Sequence, residues 1–183
     1  MSTDPPAVAG DDKDWTWVLT RPCPECGFDA ASLALGDVPR LVRVNAAAWG
    51  RVLERPDVRE RPAPATWSPL EYACHVRDVF ELFDRRLALM LDEDDPLFAN
   101  WDQDETAVAD RYWEQDPVAV AARLGTAGEQ VASSFAAVGP DRWARRGRRS
   151  DGAVFTVESF ARYFLHDPVH HLHDVGGAPP DNS

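Results

Sequence analysis

The sequence is poor in basic residues and has no long hydrophobic run, and both absences exclude classes of protein. Lys and Arg number 19 against 31 Asp and Glu, which gives a formal net charge of −12. A chain this acidic lacks the basic surface that binds nucleic-acid phosphates or anionic lipid. No segment approaches the roughly 18 to 20 apolar residues of a membrane-spanning helix. We therefore expect neither a nucleic-acid partner nor a membrane partner.

Cysteine and lysine are also scarce. Three cysteines are an odd number, which does not make a disulfide framework. The N-terminal residues 1–14 are acidic and lack the basic and apolar regions of a signal peptide, so we expect reduced thiols and a cytoplasmic location. Lysine occurs once, at Lys13, and all other basic residues are arginine. This bias, with abundant Ala, Val, Asp and Pro, is typical of a GC-rich genome.

Hydrophobic residues nevertheless make up 44% of the chain, which is enough for a sizeable core. Their spacing predicts four long helices, and each has a recognisable start. Asp37, Asp116 and Thr156 are predicted N-caps, and Ser68 and Glu71 form a predicted capping box. The four helices are predicted at about 38–54, 69–91, 117–138 and 156–175.

Two connections between these helices carry further predictions. Residues 92–115 form a long acidic loop, with a short helix from about Glu105 to Trp113. Residues 143–155 predict a small hairpin with its turn at 150–152. The predicted fold is therefore all-α: a four-helix bundle with a small hairpin before helix 4. The predicted divisions are a flexible tail at 1–14, one domain at 15–175 and a second flexible tail at 176–183.

Four of the five histidines fall within eight residues near the end of the fourth helix. His166 and His170 are spaced i, i+4, so they share a helix face about 6 Å apart along the axis and can bind one metal ion. If the second and fourth helices are antiparallel neighbours, His75 supplies a third ligand. Three neutral nitrogens leave positions open, as in a catalytic metal site. The alternative is ordinary core or surface histidines. His171 and His173 lie on other faces of the helix, and we interpret them as residues behind the ligands or in solvent.

Two acidic residues are placed to support these ligands. Asp174 is four residues after His170, and Asp78 is three residues after His75. Either carboxylate can hold the outer ring N–H of a ligand histidine. The alternative for each is ordinary charge on a helix surface.

Arg162 lies four residues before His166 and is a candidate for binding an anionic substrate; the alternative is a surface salt bridge. We take Arg162 and Asp78 as candidate catalytic residues, and Trp101 in the acidic loop, with Arg162, as candidate substrate contacts. An arginine cluster at 142–149 is too small for a nucleic-acid site. It could guide carboxylate-bearing molecules, contact another subunit or be a solvated hairpin.

Cys23-Pro-Glu-Cys26-Gly resembles half of a zinc knuckle, but a closed site needs four ligands and no second CxxC exists. Three interpretations remain: a redox pair, a second metal site with outside ligands, or a tight turn before the first helix. The turn is the interpretation that we favour. Cys74 is predicted to be a buried core cysteine.

The order and spacing of three motifs are specific. They are the helix start Thr66-Trp67-Ser68-Pro69, the segment Tyr72-Ala73-Cys74-His75 and the segment Phe164-Leu165-His166-Asp167-Pro168-Val169-His170-His171. Over residues 37–175 the chain resembles the DinB/YfiT-like superfamily. The resemblance implies an up-down-down-up bundle in which His75, His166 and His170 bind a divalent metal (Zn, Ni or Fe). It also implies a homodimer. The interrupting Pro168 and the CPEC segment depart from the family pattern.

Characterised members of that family include thiol-dependent enzymes, among them mycothiol-dependent maleylpyruvate isomerase and the bacillithiol transferases. The arginine bias favours mycothiol as the thiol. The resemblance thus implies a metal-dependent enzyme that transfers a low-molecular-weight thiol to a small electrophile, with hydrolysis at the same site as a related possibility. The alternative from a different class is a non-catalytic metal-binding stress protein.

Overall fold

Four long helices and one short helix carry most of the chain in a computed structural model, which describes residues 14–178. The helices are α1 (Val38–Leu53), α2 (Pro69–Asp92), α3 (Gln103–Ala109), α4 (Pro117–Ala136) and α5 (Val157–Asp174). The four long helices match the predicted ranges to within about two residues. The predicted short helix is divided instead, because Arg111 adopts a left-handed conformation (φ 48°) between α3 and a 3₁₀ helix at Tyr112–Glu114.

The helix starts follow the predicted caps with one exception. The Ser68 hydroxyl and the Glu71 carboxylate form the capping box of α2, and Asp116 caps α4 through two backbone N–H groups. Asp37 makes no capping hydrogen bond, because it ends a 3₁₀ helix (Leu35–Asp37) and already has helical backbone angles. An N-cap needs an extended backbone so that its side chain can reach back to the N–H groups.

Helix α5 continues through Pro168 to Asp174. The helix is closed by a Schellman motif, in which Gly176 has φ 67° and the N–H of Gly177 donates to the Leu172 carbonyl at 2.8 Å. The predicted tails otherwise lie outside the described residues, at 1–13 and 179–183. Among residues 14–178, no helix is both long and apolar enough to cross a bilayer.

The helices pack as a bundle in which α4 and α5 each contact both α1 and α2. Phe164 of α5 links the layers, since its ring lies 5.5 Å from that of Phe135 and 5.9 Å from that of Phe80. Gly128 lets α4 approach closely, because a Cβ there would lie 2.9 Å from the Cβ of Ala46. The up-down-down-up order of helix directions stays a prediction.

The fold is not strictly all-α, because a three-stranded sheet lies beside the bundle. Its strands are β1 (Leu97–Phe98), β2 (Arg146–Arg149) and β3 (Val154–Thr156). The antiparallel pair β2–β3 is the predicted hairpin, whereas β1 joins β2 in parallel and was not predicted. A strand of two residues is too short to show an alternating pattern. The arginine cluster anchors this sheet to the bundle, because Arg142 and Arg145 donate to the last carbonyls of α2.

Candidate metal centre

A cavity of about 820 Å³ opens between α2, α5, the hairpin and the loop that begins at Asn100. Its wall combines aromatic rings with charged and amide groups. The wall includes Trp15, Arg86, Asn100, Trp101, Arg149, Asp151, Tyr163, His166, Asp167, His170 and His171. The cavity is large enough for a small ligand and has polar groups that can orient it.

One ligand cluster lies where α2 meets α5, and two of its residues, Asp167 and His171, line the cavity. His75, Asp167 and His171 present ligand atoms that all lie within 4.8 Å of one another. His75 Nε2 is 3.4 Å from Asp167 Oδ1, and His171 Nε2 is 3.9 Å from Asp167 Oδ2. Tetrahedral bonds of 2.0–2.2 Å to a zinc ion would separate a nitrogen and an oxygen ligand by about 3.4 Å. The spacing therefore suits one bound divalent ion.

The hydrogen bonding of this cluster is incomplete without an ion. His75 is fully buried, and neither of its ring nitrogens has a hydrogen-bond partner. Asp167 Oδ1 is likewise buried and unpaired, since 3.4 Å to His75 exceeds the usual hydrogen-bond range. Unpaired buried polar atoms are costly and therefore rare in folded proteins. A cation between these atoms would satisfy them, so the residues fit a metal ion.

The electrostatics favour binding of a cation. Burial by itself raises the pKa of the Asp167 carboxyl, but the facing rings of His75 and His171 hold that pKa below its usual value. The carboxylate is therefore ionised at neutral pH. His171 Nδ1 donates to Asp174 Oδ2 at 3.0 Å; because an ionised carboxylate only accepts, Nδ1 carries the proton and Nε2 keeps its lone pair for a ligand.

A second ligand cluster faces the N-terminal segment. Cys23, Cys26, His166 and His170 also present four ligand atoms within 4.8 Å of one another. Cys23 Sγ lies 3.6 Å from His170 Nδ1. Burial, and then the neighbouring His170, lower the pKa of His166 to about 4, and burial lowers the pKa of His170, so both rings are neutral at pH 7.

The structure thus divides the predicted three-histidine set between two clusters. His75 faces Asp167 and His171, while His166 and His170 face the cysteines. Within residues 14–178, no group of ligand atoms as close as these unites His75 with His166 or His170. The physical reason is that neighbouring helical residues point about 100° apart, so α5 presents two i, i+4 pairs in different directions.

Two predicted residues have other partners. Asp78 accepts hydrogen bonds from Arg77 Nε at 2.7 Å and from the Tyr112 hydroxyl. Arg162 donates to the backbone carbonyls of Ala30 and Leu33 and to Glu158, and it does not line the cavity. These contacts are of a structural kind, and the roles of Asp78 and Arg162 at the metal or the substrate stay predictions. Asp174 lies 3.7 Å from the outer nitrogen of His170, as its spacing predicts, and also binds His171.

Trp101 lies where the sequence predicts a substrate contact. It lines the cavity, and its ring stacks on the His75 ring with the two planes 8° apart and their centroids 5.4 Å apart. Farther along the wall, Arg149 donates to Asp151 and to the Tyr163 hydroxyl. Arg86 is buried, which lowers its pKa to about 10, so it stays charged at neutral pH. The indole of Trp101 therefore covers the ligand cluster on one side, and the charged side chains of Arg86 and Arg149 lie along the same cavity wall.

Asp167 and His171 were not predicted to lie beside His75, and His171 was interpreted as lying behind the ligands or in solvent. The signal that could have found them is their own i, i+4 spacing, one residue out of register with His166 and His170. The CPEC turn is present, with Gly27 at φ 74° and its N–H donating to the Cys23 carbonyl at 2.9 Å. The CxxC and HxxxH motifs together supply four potential ligands. Taken as a pair, they could have predicted a complete metal site, whereas the CxxC alone supplies only two of the four ligands.

Comparisons with known proteins agree with this architecture. A model of the DinB superfamily matches residues 40–175. A solved structure described as "YfiT from Bacillus subtilis is a probable metal-dependent hydrolase with an unusual four-helix bundle topology" matches with a TM-score of 0.64 and 17% identity. The match covers 76% of this chain and 81% of that chain, and at this identity it shows a shared fold. No curated protein matches the sequence.

Proposed function

This chain belongs to the DinB superfamily, and we propose that it is a metal-dependent enzyme whose divalent ion is held by His75, Asp167 and His171. The observation that carries the proposal is a set of buried, unpaired ligand atoms beside a cavity of about 820 Å³. Three protein ligands leave at least one coordination position for a reactant, which distinguishes catalytic from structural metal sites. When bound, a divalent ion supplies Lewis acidity, which lowers the pKa of a coordinated nucleophile.

The chain's own residues prepare this site. Asp174 accepts a hydrogen bond from the Nδ1–H of His171 and thereby fixes the ring and its tautomer. Trp101 covers His75 and excludes water from one side of the cluster. The Trp101 indole is itself held in place, since its Nε1 donates to the Thr106 hydroxyl at 2.8 Å.

The cavity wall suits a hydroxyl-rich reactant, which supports a hydroxyl-rich thiol such as mycothiol as the nucleophile. Carboxylate and amide groups accept or donate hydrogen bonds to hydroxyl groups, and indole rings offer flat apolar faces to a sugar ring. The wall has both, in Asn100 and Asp151 and in Trp15 and Trp101. The volume suits two reactants, a thiol and a small electrophile. This transfer needs no separate general base when the nucleophile's own pKa is lowered.

Hydrolysis is the second candidate, and the donor set favours it. Two histidines and one carboxylate are also the ligands of well-known hydrolytic zinc sites. The similar structure from Bacillus subtilis, YfiT, is described as a probable metal-dependent hydrolase. The two candidates differ in the nucleophile, water or thiol, and share the metal site.

The test loads untagged protein with Zn²⁺, Ni²⁺ or Fe²⁺ and measures consumption of a model electrophile with and without mycothiol, beside ester hydrolysis. We expect metal-dependent activity in the wild type and its loss in His75→Ala, with His173→Ala unchanged because His173 is exposed and outside both clusters. Thiol-dependent consumption supports transfer, and ester cleavage without thiol supports hydrolysis. A metal-loaded protein that is inactive in both assays would favour the non-catalytic alternative.

A further inference from the structure

The N-terminal segment from Trp15 to Ala34 is attached to the bundle by few polar contacts. It consists of a 3₁₀ helix (Trp15–Leu19) and turns, and it pairs with no strand. Arg162 binds two of its carbonyls. At its centre Cys23 is buried against His170. A segment with so little regular structure gains little from its own hydrogen bonds; buried apolar side chains such as Phe28 and Leu33 pack it against the bundle, and a bond through the cysteines would add to that packing.

We propose that Cys23, Cys26, His166 and His170 form a second metal site, a closed structural zinc site that fastens the N-terminal segment to α5. The four donors are the Cys₂His₂ set of structural zinc sites, with CxxC and HxxxH spacing. Thiolate ligands select zinc over hard cations such as Mg²⁺ and Ca²⁺. The site shares no ligand with the cluster of His75, Asp167 and His171, although His166 and His170 also line the cavity.

The geometry matches that of a tetrahedral ion. Bonds of about 2.3 Å to sulfur and about 2.0–2.1 Å to nitrogen place those two ligands about 3.6 Å apart. Cys23 Sγ and His170 Nδ1 are 3.6 Å apart, and all four ligand atoms lie within 4.8 Å of one another. His166 Nε2 is buried and has no hydrogen-bond partner. An ion at the centre would satisfy this nitrogen.

The surroundings are those of a structural site. The rings of Trp15, Trp17 and Phe28 lie 5.5, 6.4 and 5.7 Å from that of His166, so aromatic groups surround the ligands. The outer nitrogen of His170 lies 3.5 Å from Glu25 Oε2, and a carboxylate there can hold the ring as an outer-sphere partner does. Four protein ligands leave no open position for a reactant.

The main alternative is a redox-active cysteine pair. Reactive CxxC motifs carry nearby positive charge that stabilises the thiolate. Here the two free thiols face His166 and His170 instead, and the four ligand atoms lie within 4.8 Å of one another. Two cysteines and two histidines at this spacing favour a metal site over a redox pair.

The test measures metal content of untagged protein purified with zinc. We expect two equivalents in the wild type and one in Cys23→Ser/Cys26→Ser. His75→Ala should also retain one, because it removes only the cavity ion. Cys74→Ser is the matched control, since Cys74 is buried outside both clusters, and it should retain two. A double cysteine variant with wild-type metal content would overturn the proposal, whatever the outcome at His75.

Cobalt substitution gives a readout that does not depend on the double variant folding. Wild-type protein loaded with Co²⁺ should show the near-ultraviolet thiolate-to-cobalt charge-transfer band and the intense visible absorption of a tetrahedral site. Cys26→Ser should weaken the charge-transfer band by about half, because one of two thiolates is lost. Folded, cobalt-loaded wild type without the band would overturn the proposal. In Cys74→Ser protein, an intact mass 2 Da below that of the reduced chain, without bound zinc, would instead establish a Cys23–Cys26 disulfide and overturn the proposal.

Discussion

His170 and His171 are consecutive residues whose rings face different ligand clusters, with ring planes 74° apart and centroids 5.7 Å apart. His170 faces Cys23 at 3.6 Å, whereas the ring of His171 packs edge-on against that of His75 at 4.9 Å. Asp174 reaches both rings, at 3.7 Å from His170 and 3.0 Å from His171. One turn of α5 therefore carries ligands for two proposed sites, joined by one carboxylate.

The contact between Asp174 and His171 predicts the effect of removing that charge. Asp174→Asn should weaken metal binding at the cavity cluster by about 10- to 100-fold, the usual effect of losing an outer-sphere carboxylate. Competition with a chromophoric chelator measures the affinity. Asp94→Asn is the control, because Asp94 is exposed and lies away from both clusters. Equal affinities in the two variants would show that Asp174 does not orient a ligand.

Trp101 should influence catalysis without holding the ion. Trp101→Ala removes the ring stacked on His75, and an aromatic contact of this kind contributes about 0.5–1.5 kcal/mol. We expect kcat/KM to fall by about tenfold, which corresponds to about 1.4 kcal/mol, while metal content is unchanged. Trp101→Phe keeps a flat ring and should recover most of the loss. A variant that loses the metal together with activity would contradict the assignment of Trp101 to covering the site.

Two glycines of α4 give a matched test of packing in the bundle. Gly128→Ala introduces a Cβ 2.9 Å from that of Ala46 and 3.2 Å from the Phe80 ring, and we expect it to lower the free energy of unfolding by about 1–3 kcal/mol. Gly125→Ala meets no atom within 4 Å and should stabilise α4 by about 0.5–1 kcal/mol. Chemical denaturation measures both. Equal effects would mean that α4 is not pressed against α1.

The ion pair between Arg43 of α1 and Glu129 of α4 predicts an acid dependence of stability. Hydrogen bonds from Arg43 and Ser133 lower the pKa of the Glu129 carboxyl from 4.5 to about 2. Because the folded-state pKa is the lower one, the contribution is complete above pH 4.5 and is lost as the pH falls toward about 2. Both groups are exposed, so the effect is small and screened by salt.

Denaturation curves at several pH values between 5 and 2, at low salt, test this pair. Glu129→Gln and Arg43→Met should each flatten the fall in unfolding free energy over that range, and the double variant should behave like either single variant. Full additivity of the two substitutions would contradict direct pairing.

Local patterns were sufficient to predict the helices. The capping box at Ser68 and Glu71 and the cap at Asp116 lie within one turn of chain, so the sequence contains all the participants. Asp37 failed as a cap because a preceding 3₁₀ helix had already set its backbone angles. Strand β1 could not be predicted either, since its two residues form a strand only through pairing with β2, about 50 residues away.

The candidate metal ligands show the same difference between features that are local in the sequence and features that depend on tertiary packing. Sequence alone establishes that α5 carries histidines at i, i+4 spacing and that a histidine lies early in α2, because helical periodicity is a local property. It does not establish how α5 is rotated about its axis, and a rotation of about 100° exchanges one i, i+4 pair for the next. Packing against α2 on one side and the N-terminal segment on the other decides that rotation. It places Asp167 and His171 beside His75, and His166 and His170 beside Cys23 and Cys26.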